Sequence, residues 1–141
     1  MHRRIRRLLG KDYEVITADE RLDKVAVDFV EYCATRWESG KTMLVCIDKL
    51  TCGRMYKRII PLWQRKLAST RAQIRRGERE LLNATGDVEA LVKKIDWLKG
   101  QANWLEESIV EIIISEGQNE VADFVKLRHP VARTPRLPNR A

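Results

Sequence analysis

From Leu62 to about Asn83, and again from Asp87 to about Leu105, apolar residues recur at helical spacing within a heavily charged chain. Only "NATGD", at residues 83–87, interrupts the pattern, and its composition is that of a turn. Two long helices joined by so short a link must fold back as an antiparallel hairpin. Such a hairpin, over 62–107, is too long to be the ordinary crossover between neighbouring strands. Whatever flanks it must therefore be built around it.

Upstream, between Ala18 and Glu38, Leu22, Val25, Ala26, Phe29, Val30, Cys33, Ala34 and Trp37 lie on one helical face. Asp19, Glu20 and Asp23 sit near the start, where carboxylates suit the helix dipole. Gly40 follows the end, as expected of a glycine in the left-handed region that stops a helix. Next, "TMLVCI" (42–47) is apolar without alternation, which suits a strand covered on both faces as in a parallel sheet. Asp48 or Thr51 then offers an N-cap to a helix placing Cys52, Met55, Tyr56, Ile59 and Ile60 on one face. Pro61 is expected to end that helix and open another near Leu62. After the hairpin, "SIVEIIISE" (108–116) reads as a second buried strand, with the β-branched residues Ile109, Val110, Ile112, Ile113 and Ile114 flanking one carboxylate, Glu111. That carboxylate requires a partner or an exposed end. "GQNEVADFVKL" reads as a short helix, and the Pro- and Arg-containing residues 128–141 as a disordered tail.

Gly40-Lys41-Thr42 resembles the closing triplet of a nucleotide-binding phosphate loop. That loop requires a glycine where Thr35 stands, and it runs strand, loop, helix rather than helix, loop, strand. Lys41 is accordingly read as a solvated residue at a helix end. With only His2 and His129, and with Cys33, Cys46 and Cys52 forming no C-x-x-C pair, the chain has almost no material for a zinc site or a histidine-assisted nucleophile. The cysteines fit reduced, mostly buried thiols of a cytoplasmic protein. No apolar run approaches the roughly 20 residues needed to span a bilayer.

The net charge of +7 is concentrated in residues 1–11, 64–79 and 126–140. Patches of this kind favour a polyanion, nucleic acid being the commonest, although a solvated basic face accounts for them equally. In the hairpin, Arg65, Lys66, Arg71, Arg75, Arg76 and Arg79 form a candidate DNA arm, diluted by Glu78, Glu80 and Glu89. Trp63, Trp97 and Trp104 are better suited to packing than to base stacking.

The order of these segments resembles a known family. Gly40, Lys41, Met43, Val45, Asp48, Lys49, Cys52 and Tyr56, then Ser115, Glu116, Gln118, Asn119 and Glu120, match the start of the second RecA-like motor domain in the R subunit of type I restriction endonucleases. The likeness runs from about Leu22 to Phe124. It implies an α/β fold: a partial RecA-like lobe of two parallel-type strands with flanking helices (18–61 and 108–127), preceded by a basic lead-in (1–17) and interrupted by the hairpin. It also implies a role within an ATP-dependent DNA translocase. Double-stranded DNA would be contacted through its backbone by Lys49, Thr51, Gln118, Asn119, Arg71, Arg75 and Arg76, and modification and specificity subunits would be partners. ATP and magnesium would be cofactors of the parent protein, with none held by this chain. The family's phosphate loop, Asp-Glu box, nuclease residues and cleft arginine have no counterpart in the sequence, so the chain alone is expected to be inactive. Beyond Phe124 the likeness stops, as a truncation or frameshift would produce. The rival reading is a stand-alone basic module that binds nucleic acid or protein and catalyses nothing.

Overall fold

The computed structural model describes residues 10–115. All regular secondary structure among them is helical. Residues 10–16 form a short helical lead-in. Helix α1 spans Asp19–Thr35, a 3-10 turn follows at Trp37–Ser39, α2 spans Lys49–Asn83, and α3 spans Glu89–Glu107.

Helix α2 starts where a side chain can hold its first turn: Asp48 Oδ1 accepts the backbone N–H of Thr51 at 2.7 Å. It then continues through Pro61, where the sequence led us to expect a break. Pro61 and Lys57, whose carbonyl loses its helical donor to the proline ring, are both exposed. The helix nevertheless reaches 35 residues, about 50 Å.

Helices α1 and α2 run parallel. Asp19 to Arg54, Asp23 to Arg58 and Glu31 to Lys66 are bonded at 2.7–2.9 Å, each pair thirty-five residues apart. Leu22, Ala26, Val30, Met55 and Ile59 are buried between the two helices, with Phe29, Leu62 and Trp63 packed against them. The distal half of α2 pairs with α3 in the opposite sense: Thr70 meets Gln101, Arg71 meets Glu106, and Glu78 meets Lys99. Gly86 turns the chain between them with φ of 116°. Close approach is enforced at Gly100, where an added Cβ would lie 2.5 Å from the Trp37 ring.

Two side chains complete helix ends that backbone alone leaves open. Gln101 donates to the Ala34 carbonyl in the last turn of α1 at 2.8 Å and accepts from the Thr70 hydroxyl at 3.0 Å, all three residues being buried. Trp63 donates its indole N–H to the Leu105 carbonyl at 2.9 Å. Gln101 thereby links all three helices, and Trp63 closes the end of α3 onto α2.

The expected α/β fold is overturned. Among the described residues there is no strand or sheet, so the partial RecA-like lobe with two parallel strands is not the architecture of this chain. Residues 42–47 and 108–115 lack helix and have no backbone ladder between them. A strand is defined by its pairing, and β-branched composition cannot supply a partner. Nor is either segment covered on both faces. Leu44, Cys46 and Val110 pack on the core, whereas Met43, Val45, Ile109 and Ile113 are each close to four-fifths exposed. Glu111 is exposed in the same row.

Candidate nucleic-acid interface

At about 100° per residue, Lys57, Arg65, Arg75, Arg76 and Arg79 fall within roughly 100° of arc on α2. All five are exposed, and none takes part in an ion pair among the described residues. Pro61, Ala68 and Ala72 share that sector, and no carboxylate between residues 60 and 83 does. Glu78 and Glu80 lie on its two flanks, Glu78 turned toward Lys99 of α3. From Arg65 to Arg79 the row is about 21 Å long. The buried face of α2, carrying Met55, Ile59, Thr70 and Gly77, lies on the opposite side.

Arg54 and Arg58 belong to the same angular sector but serve a different purpose. Arg54 and Arg58 both reach Asp19 at 2.7 Å, and Arg58 also reaches Asp23 at 2.7 Å. The Arg54 guanidinium, then that of Arg58, holds the Asp19 carboxyl below the usual carboxylate range. Lys66 is bonded to Glu31 and Arg71 to Glu106. Of the hairpin residues expected at DNA, the structure leaves Arg75 and Arg76 free, together with Arg65 and Arg79, while Lys66 and Arg71 are engaged within the protein.

The second expected contact point is arranged differently. Thr51 is buried in the first turn of α2, with its backbone N–H given to Asp48. Lys49 is partly buried and already has an interaction partner. Burial pushes the Asp48 carboxyl up, but hydrogen bonds from the Tyr13 hydroxyl and from Thr51 outweigh it and hold the pKa below its ordinary value. This corner is a closed cap. Gln118 and Asn119 lie outside the described residues.

Burial pushes all three thiols up, Cys46 to about 11 with its neighbour Cys52 adding to the effect, which disfavours the reactive thiolate. Among the described residues no three potential metal ligands gather, and no helix is long and apolar enough to cross a membrane. Gly40 does adopt a positive φ of 92°, but with ψ of −132° it lies outside the left-handed helical region, in a conformation suited to glycine. Lys41 beside it is exposed. Trp63 and Trp104 meet at a tilt of 41° with ring centroids 5.5 Å apart, and Trp37 meets Trp97 edge-on at 6.3 Å, so these rings pack on one another.

The features that sequence reasoning missed are the selective neutralisation of α2's arginines and the Gln101 link. The first had a signal: the angular sector of Arg65, Arg75, Arg76 and Arg79 can be read from their spacing. The second had none, because Ala34, Thr70 and Gln101 are far apart in sequence. Compared with protein-family models, curated proteins and solved structures, the chain matches none.

Proposed function

We propose that this chain is a piece of the ATP-dependent DNA translocase region of a type I restriction endonuclease R subunit, acting in the cytoplasm. It contributes sequence-independent contacts to the backbone of double-stranded DNA and holds no complete ATPase or nuclease site. The observation that carries the DNA-binding part is the acid-free arginine row on α2, left unpaired while Arg54, Arg58, Lys66 and Arg71 of the same helix are each engaged by a carboxylate. Guanidinium groups along about 21 Å face a duplex carrying one phosphate per about 1.7 Å of axis, so several can be neutralised together. Nothing in the row is arranged to read base edges. The link to the restriction family rests on the residues from Gly40 to Tyr56 and from Ser115 to Glu120. ATP and magnesium would be bound by other parts of that parent protein, and its modification and specificity subunits would be partners of the assembly.

A stand-alone basic binding module is the second reading, and one observation favours it. The three helices close a core and satisfy α1 and α3 at their ends without help from any other chain. Fluorescence titration of a labelled duplex against salt tests the DNA contact common to both readings: four neutralised phosphates give a log–log slope of about −3.6. A slope near zero rejects it. Translating all frames on both sides of the gene separates the two: adjoining phosphate-loop and Asp-Glu segments support the translocase, and unrelated neighbours support the free module.

A further inference from the structure

Cys46 and Cys52 form a pair that the DNA contact does not use. Cys46 precedes α2 and turns inward to pack on the cluster between α1 and α2. Cys52 lies near the start of α2, one turn before the buried Met55 and on the same face of the helix. The backbone between the two is pinned twice: Asp48 accepts the Thr51 N–H through its side chain at 2.7 Å and the Cys52 N–H through its carbonyl at 3.0 Å. Held in this way, the thiols meet, and the Cys46 S–H donates a hydrogen bond to the Cys52 sulfur. Both residues are half-buried, so a small reagent reaches them from solvent. Cys33 is the contrast, being 3 % exposed with the Thr42 hydroxyl, rather than a thiol, as its side-chain partner.

We propose that Cys46 and Cys52 are a redox dithiol, which closes to an intramolecular disulfide by exchange with a low-molecular-weight disulfide of the glutathione class. The Cys52 thiolate attacks one sulfur of the oxidant, whose S–S bond breaks and releases one glutathione thiolate. Cys46 then gives up its proton and attacks the Cys52 sulfur of the mixed disulfide, expelling the second glutathione. The chain loses two protons and two electrons, and the oxidant takes up both to become two thiols. Cys52 starts the exchange because it accepts the hydrogen bond and stands in the N-terminal turns of a long helix, both of which favour its thiolate over that of Cys46. Burial slows the step without removing it, since exchange draws on the small thiolate fraction present at any moment. Closure fastens residues 42–47 to the start of α2, the opposite end of that helix from Arg75 and Arg76. The DNA contact does not depend on it, so the two proposals fail separately.

Incubation of the full 141-residue chain with glutathione disulfide, followed by acid quenching, intact mass measurement and peptide mapping, is the test. A species two hydrogens lighter is expected, with Cys46 linked to Cys52, Cys33 still a thiol, and mixed disulfide on less than about a tenth of the chains. Cys46→Ser should stop at glutathionylated Cys52. In Cys52→Ser, Cys46 should take up glutathione at least about tenfold more slowly than Cys52 does in Cys46→Ser. Glutathione that accumulates on the wild-type chain overturns the proposal, as do disulfides through Cys33 or between chains. Thiols at 46 and 52 that stay fully alkylatable, or equal rates in the two serine variants, count against it in the same way.

Discussion

The two halves of α2 carry similar numbers of cations and use them in different ways. In the proximal half, Arg54 and Arg58 are only 26 % and 22 % exposed and fasten α2 to the first turns of α1. Farther along, Arg75, Arg76 and Arg79 lie beyond the last cation that α1 engages, and with Arg65, one residue before it, they project from the same sector with no carboxylate opposite. Helix α1 ends at Thr35, and Lys66 is the farthest cation of α2 that it engages through Glu31. Net charge alone therefore says little about binding. What separates a structural arginine from an available one is whether a neighbouring helix brings a carboxylate to it.

The strongest way to break the comparison is to remove what holds the two halves in one body. Gln101→Leu strands the buried Ala34 carbonyl and Thr70 hydroxyl, and a loss of about 2–4 kcal/mol is expected from chemical denaturation. A loss below about 0.5 kcal/mol would show that α1 is not tied to the hairpin through this residue. Gly100→Ala probes the same junction from the other side, since its Cβ would press on the Trp37 ring. It should destabilise by about 1–3 kcal/mol, and Trp37→Leu in the same chain should recover part of that loss.

The comparison is sharpened by paired substitutions within α2. Arg75→Ala/Arg76→Ala should reduce the salt slope of duplex binding by about 1.8 and leave the melting temperature unchanged, because neither side chain has a partner to lose. Arg54→Ala/Arg58→Ala should do the reverse, lowering the melting temperature slightly while changing the slope by less than about 0.5. The effect on stability is small because Asp19 and Asp23 remain largely in solvent.

Acid provides the gentlest perturbation. Asp19 and Asp48 both have folded pKa values below the unfolded value of about 3.9. Each contributes stability that is fully present above that unfolded pKa and disappears as pH falls through the folded one. The melting temperature should hold steady down to about pH 5 and then decline, and Asp48→Asn should flatten the decline. An equally steep decline in Asp48→Asn would remove the cap from the account.

Legibility in the sequence followed the range of the interactions. The inward face of α1, the Asp48 cap and the turn at Gly86 are set by neighbours a few residues away, and periodicity and turn chemistry expose them. The continuity of α2 through Pro61 was not legible, because a proline inside a helical pattern either ends or is carried by the helix according to the packing on both sides of it, here of Ile59, Leu62 and Trp63 on the core. The segments 42–47 and 108–115 misled for a related reason. Apolar, β-branched runs signal extended backbone, but whether they are covered on both faces depends on what lies beside them, and here each is covered on one side only. In the candidate site, Arg75 and Arg76 could be singled out from sequence. The engagement of Arg71 by Glu106, thirty-five residues away, could not. Thr51 was correctly positioned at a helix start, yet local sequence does not reveal that its side chain turns inward.

The central claim is that the distal arginine row, rather than the chain's charge as a whole, contacts DNA. The salt dependence of duplex affinity in Arg65→Ala/Arg75→Ala/Arg76→Ala/Arg79→Ala tests it most directly, measured beside Arg54→Ala/Arg58→Ala. The account predicts that the quadruple variant loses a slope of about 3.6 while the double variant keeps it. Equal losses in the two, or none in the quadruple variant, would contradict the division of α2 into structural and DNA-facing halves.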